Sequence, residues 1–168
     1  QERVYENIFT NLCYLLLHIN WVSIAINNFI YLMSKFENIS SKPGFMKHNG
    51  GLMFKTISKS KYQFKTKVKK IHLNRAGITH GGFLAGILDA GSGTAVHRAS
   101  GNKEVCVTIS LDIKFIGSSS VGDEIIGNVD IEKITNSLIF MKCKLSTNKK
   151  ILAIGTGVWK KTKRSFVV

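Results

Sequence analysis

One short stretch, HLNRAGITHGGFLAGILDA from His72 to Ala90, concentrates the groups able to do chemistry. A His-Gly-Gly opens a helix-forming apolar run, and a single carboxylate, Asp89, lies among Phe83, Leu84, Ile87 and Leu88. An ionised carboxylate without a partner is costly in such a setting, and no Lys or Arg stands within a helical turn of it. Free N–H groups at a helix start, with the helix dipole behind them, stabilise an oxyanion, and Gly81 and Gly82 carry no side chain to obstruct an incoming acyl group. A carboxylate on the same helix supplies a base or nucleophile. The pair suits attack on a carbonyl carbon. Geometry adds a constraint: from Gly81 to Asp89 is roughly 12 Å at 1.5 Å per residue, too far for both to touch one carbonyl. Two helices running antiparallel across a two-fold axis would place Gly81 of one chain near Asp89 of the other, and Gly82, Gly86 and Ala90, spaced every four positions, leave a face bare enough for a close approach. The expectation is an obligate dimer with two composite sites, in which the partner chain justifies Asp89.

These groups need a frame. In YQFKTKVKK, Tyr62, Phe64, Thr66 and Val68 alternate with Gln63, Lys65, Lys67 and Lys69, the period of a strand with one apolar and one cationic face. GLMFKTIS is its partner. The helix follows, with Thr79 as the expected N-cap, running to about His97 and stopped by ASGNK. Each of its glycines costs about 1 kcal/mol relative to alanine, so close packing must offset them. Four strands come next. Val105 to Ile116 places Val107, Ile109, Leu111, Ile113 and Phe115 on an apolar face, opposite Thr108, Ser110, Asp112 and Lys114. Glu124 to Glu132, Ile139 to Leu145 and Ile151 to Lys160 continue the alternation. This order predicts an α+β domain, one long central helix wrapped by a curved antiparallel sheet of about six strands, and argues against a parallel βαβ fold.

The 168 residues suit one domain, taken as 44–162 after the turn at Pro43. From Asn7 to Ser34 no charged residue occurs, a length that could span a bilayer, but Asn11, His18, Asn20, Asn27 and Asn28 are costly at membrane depth. Residues 1–34 are therefore read as an apolar extension, with Met33 as the natural start and a membrane role only if the extension is real. Residues 163–168 form a basic tail. The net charge of +14 argues for an anionic partner. Nucleic acid does not fit, since Tyr62 and Phe64 face away from the lysines that would hold it. Cys13, Cys106 and Cys143 form no C-x-x-C and the five histidines no H-x-x-x-H, which predicts no metal and a reducing, cytoplasmic setting.

Asn74, Gly77, His80, Gly81, Gly82 and Asp89 together match, without a gap, a pattern of Asn, two residues, Gly, two residues, His-Gly-Gly, six residues, Asp. In this pattern and in its element order, from about Phe45 to Lys160, the chain resembles the hotdog-fold acyl-CoA thioesterases of the PaaI-like, phenylacetate-degradation type. The resemblance implies that Asp89 is the nucleophile or general base and that the Gly81 N–H polarises the thioester carbonyl. Asn74 would position substrate or water, and Thr108 would align with a Ser or Thr that holds the attacking water. His80, Gly82 and Phe83 would line the substrate path, with His80 chiefly structural. No cofactor is implied beyond the coenzyme A of the substrate, and the assembly would be a homodimer or a tetramer. FIGSSSVGDE departs from the Pro-containing turn usual after that strand.

Three readings of these residues stay open. Asn74 could serve only as a turn residue before Gly77. Thr108 shares its strand face with Asp112 and Lys114, so only a bulge or an interface position would bring it to the site. In place of acyl-CoA hydrolysis, a hotdog 3-hydroxyacyl-thioester dehydratase or a non-catalytic acyl-CoA binding protein would share the frame.

Overall fold

The computed structural model describes residues 22–23, 35–102 and 104–162. The expectations for the N-terminal extension, for Met33 and for the basic tail fall outside the described residues. Strands are β1 (Glu37–Asn38), β2 (Met53–Thr56), β3 (Lys61–Lys67), β4 (Cys106–Phe115), β5 (Glu124–Ile134), β6 (Leu138–Ser146) and β7 (Ile151–Lys161). Helices are the short α1 (Phe45–His48), a 3-10 turn at Lys70–His72, and the long α2 (Gly81–Ala99). The folded unit starts at Phe36, ahead of the expected residue 44, because Glu37 and Asn38 pair with Phe54 and Met53 of β2. Among the described residues no helix is long and apolar enough to cross a membrane.

The strands form one antiparallel sheet in the order β1-β2-β3-β5-β6-β7-β4. β5, β6 and β7 follow one another through tight turns, as short connections require. β4 instead crosses to the far edge and, among the described residues, pairs only with β7. On β3 the alternation reads true: Tyr62, Phe64 and Thr66 are buried, with Lys61, Lys65 and Lys67 turned outward.

Helix α2 lies on the inner face through Phe83, Leu84, Ile87, Leu88, Gly91, Ser92, Ala95 and Val96. It stops at Ser100, where Gly101 at φ 82° takes a left-handed conformation. The glycine that lets helix and sheet meet is Gly91, together with Gly127 of β5. A methyl group at either would overlap the ring of Phe64, which is wedged between them with no exposed surface. Trp159, Phe54, Ile87, Leu88, Ile125 and Leu145 complete a continuous core. Each such side chain contributes about 1.5–3 kcal/mol by leaving water.

Candidate active site

The start of α2 is built by His80. Its Nδ1 accepts a hydrogen bond from Gly82 N–H at 2.8 Å, and its carbonyl accepts from Phe83 N–H at 3.0 Å and Leu84 N–H at 3.2 Å. The N-cap is therefore His80, not Thr79 as the sequence suggested. Thr79 is turned inward instead: its N–H donates to the Ser119 carbonyl at 2.9 Å, and its hydroxyl lies 2.7 Å from the Ser119 hydroxyl. The segment that departs from the expected Pro-containing turn thus fastens the helix origin to the loop after β4. With the next three amides occupied, Gly81 N–H is the first-turn donor without an acceptor among the described residues. The Phe115 ring of β4 stands beside it, 3.6 Å from where a Gly81 Cβ would be.

Asp89 lies two turns further along. The sequence suggested a deeply buried carboxylate, whereas the structure leaves it half-buried, on the flank of the stripe formed by Leu84, Ile87, Leu88 and Gly91. Asp89 Oδ1 accepts a hydrogen bond from Thr108 Oγ1 of β4 at 2.8 Å. Strand alternation alone would have turned Thr108 away. The register of β4 against β7 shifts between Thr108 and Ser110, so that Thr108 lies opposite the buried Trp159 while Ser110 lies opposite Val158. Ile109 is the extra residue of this bulge and is pushed outward, which turns Thr108 to the helix side. Leu111 and Ile113 keep the expected apolar face toward the core, but Val107, Ile109 and Phe115 remain exposed.

The other expected site residues separate. Asn74 holds its own turn: its Oδ1 accepts from Ala76 N–H at 2.9 Å and Ile78 N–H at 3.3 Å, and its carbonyl accepts from Gly77 N–H at 3.0 Å. Gly77 needs its left-handed φ of 74° to close that turn. The oxygen of Asn74 is thereby committed, and its amide nitrogen keeps no acceptor among the described residues. Gly82 and His80 are exposed at the helix mouth. Phe83 points into the core, against the expectation that it lines the substrate path, and stacks on His72 with centroids 3.7 Å apart.

Sequence reasoning missed His72. The ring is 2 % exposed, its Nδ1 accepts from Lys69 N–H at 3.0 Å, and its carbonyl accepts from His80 N–H at 2.8 Å. Burial holds its pKa below the usual 6.5. Phe45 was also missed; its ring lies across Gly86 of α2, with one carbon 3.1 Å from where a Gly86 Cβ would be. Gly86 is thus covered by its own chain. Nothing in the sequence around Pro43 announces this contact. Among the described residues no three His, Cys, Asp or Glu side chains group as a metal site would require.

Residues 76–154 match the model of the Thioesterase superfamily. A Pseudomonas aeruginosa protein named as an esterase is 27% identical over 93 residues, 55% of this chain and 69% of its own length. Solved structures share the fold, among them the following two. The E. coli PaaI protein of the phenylacetic acid degradation operon has a TM-score of 0.65 at 15% identity, covering 71% of this chain and 86% of its own. A thioesterase protein from Streptococcus pneumoniae, solved with coenzyme A, has a TM-score of 0.61 at 18% identity, covering 67% of this chain and 86% of its own.

Proposed function

From the match of residues 76–154 to the model of the Thioesterase superfamily, we propose that the chain is a thioester hydrolase of hotdog fold, that its substrate is an acyl- or aryl-CoA and that the centre is Asp89. The observation that carries this reading is the 2.8 Å hydrogen bond from Thr108 to Asp89, made possible by the β4 bulge. It fixes one carboxylate oxygen and leaves the other for a water molecule or the thioester carbon. Acting as base, Asp89 takes a proton from water, the water oxygen bonds to the carbonyl carbon, and the oxyanion accepts a hydrogen bond from Gly81 N–H. Collapse breaks the C–S bond, and the proton held by Asp89 passes to the departing sulfur, releasing free acid and the thiol of coenzyme A and restoring the carboxylate. Acting as nucleophile, Asp89 bonds to the carbonyl carbon, the C–S bond breaks to release coenzyme A, and water opens the resulting anhydride to the free acid and the Asp89 carboxylate. The free amide of Asn74 orients substrate or water, and exposed His80 and Gly82 border the approach.

Gly81 and Asp89 remain roughly 12 Å apart along one helix, so the oxyanion donor comes from a second copy. The β4 edge supports this assembly: among the described residues it has no strand on its outer side, and it exposes Val107 and Ile109, an arrangement that invites pairing. The net charge of +14 favours the phosphates of coenzyme A. The free thiols of Cys106 and Cys143 suit a reducing, cytoplasmic compartment. Thiol release from short, long and aromatic acyl-CoAs, compared between wild type and Asp89→Asn, tests the reading. Release that disappears in the variant supports it. A folded dimer releasing thiol from none of them refutes it.

A further inference from the structure

Phe45 is the apolar side chain of α1 that does not turn inward. Met46 packs against the core, whereas Phe45 is 67% exposed and rests edge-on over Gly86. Burial does not account for that position, since a large aromatic side chain gains little by remaining in water. The segment around it is held at both ends. Ile39 N–H donates to the Leu52 carbonyl at 3.2 Å and Leu52 N–H to Ser40 Oγ at 3.0 Å; Lys47 Nζ donates to the Ser41 carbonyl at 2.8 Å. Within it, Asn49 Nδ2 and N–H both donate to the Phe45 carbonyl, at 2.8 and 3.0 Å. The backbone at Phe45 is thus pinned, and its ring is presented rather than loose.

What the ring faces follows from helix periodicity. Gly82, Gly86 and Asp89 lie at spacings of four and three, so they share one stripe of α2. On that stripe the glycines have no side chain, and Asp89 is the group that does chemistry. Phe45 crosses it about 4.5 Å before Asp89 along the helix axis. An acyl chain whose carbonyl sits at Asp89 and which runs along this bare stripe toward the helix start meets the Phe45 ring as its first wall. Glycine at 86 is what lets the ring lie so low, because a Cβ there would have to displace it.

We infer that Phe45 sets the acyl-chain length this site accepts, acting as the floor of an acyl groove on the Gly82, Gly86, Asp89 stripe of α2. The inference rests on acyl-CoA as the substrate class and adds the residue that selects among acyl groups. Removing the ring opens the groove toward Gly82; enlarging it closes the groove nearer to Asp89. The effect grows with chain length, at about fourfold in affinity for each methylene buried or excluded.

The test measures binding, so that it does not depend on turnover. S-alkyl-CoA thioethers with chains of four, eight and twelve carbons lack the carbonyl and cannot be hydrolysed; their Kd values are measured by calorimetry for wild type, Phe45→Ala and Phe45→Trp. The expected result is an optimum shifted to a longer chain in Phe45→Ala and to a shorter one in Phe45→Trp, a change of tenfold or more in the twelve-to-four-carbon Kd ratio. Equal ratios in all three proteins overturn the inference, as does conversion of either variant to a monomer, which would make Phe45 an interface residue. Thiol release from the matching acyl-CoAs is recorded alongside. Length-dependent binding without any release leaves Phe45 in place and removes the hydrolysis reading. Release with unchanged ratios does the reverse, and no binding at all refutes both.

Discussion

Thr108→Val removes a hydroxyl and keeps the branched shape, so it isolates the bond to Asp89. The bond is 2.8 Å long and its acceptor is a carboxylate. Hydrogen bonds to charged groups contribute about 1.5–3 kcal/mol, and because Thr108 is exposed in the single chain the lower end applies. Loss of about 1.5 kcal/mol from the transition state slows turnover roughly tenfold. The loss is expected in kcat, with KM little changed, since the bond aims the carboxylate rather than holding the acyl group. Thr108→Ser keeps the donor and is expected within about twofold of wild type, a difference of ~0.4 kcal/mol. In an Asp89→Asn background Thr108→Val should cost nothing further, because the two residues act as a unit. The assay is thiol release under saturating acyl-CoA, with thermal melts to establish that each variant is folded. Wild-type kcat in Thr108→Val, or an equal fall in Thr108→Ser, would refute the assignment of the hydroxyl.

Other expectations concern the frame. His72 is buried with its pKa held below 6.5, so the unfolded chain takes up the proton first as the pH falls. The stability it confers is complete above about pH 6.5 and is lost as the pH drops toward the folded value; the melting difference between wild type and His72→Gln should shrink from pH 7.5 to 5.5, and a constant difference would contradict this. Gly91→Ala forces a methyl group into Phe64 and should cost about 1–3 kcal/mol in denaturant unfolding; an unchanged midpoint would mean the ring has room to move. Burial pushes the Cys143 thiol up to about 12, so a maleimide should leave it unmodified in the native protein and label it only after denaturation, as read by peptide mass spectrometry. Native labelling would show that β6 opens readily.

The long helix and the strand alternation were legible because Phe83, Leu84, Ile87 and Leu88, or Tyr62, Phe64 and Thr66, recur with the period of the element that buries them. The partner of Gly91 was not legible, because Phe64 reaches it through tertiary packing between segments far apart in the chain. Asp89 was visible as an anomaly, yet its neighbours in sequence suggested more burial than the helix flank gives it. Thr108 is the instructive case. Alternation assigned it to the outer face, and one extra residue at Ile109 reversed that assignment without any Gly or Pro to signal a bulge. Thr79 and His80 exchanged the capping role because Ser119, forty positions away, claims the threonine hydroxyl. Phe45 belongs to a four-residue helix, too short for any periodic signal.

β4 carries Thr108 against Asp89 and Phe115 against Gly81, and leads directly into Ser119, which ties down the helix origin. One strand therefore aims both ends of the proposed chemistry, and it lies at an edge of the sheet. If a second copy covers that edge, association and active-site geometry become a single equilibrium. Specific activity then follows mass action: on dilution below the dissociation constant of the dimer, each chain keeps Thr108 against its own Asp89 but loses its partner's amide.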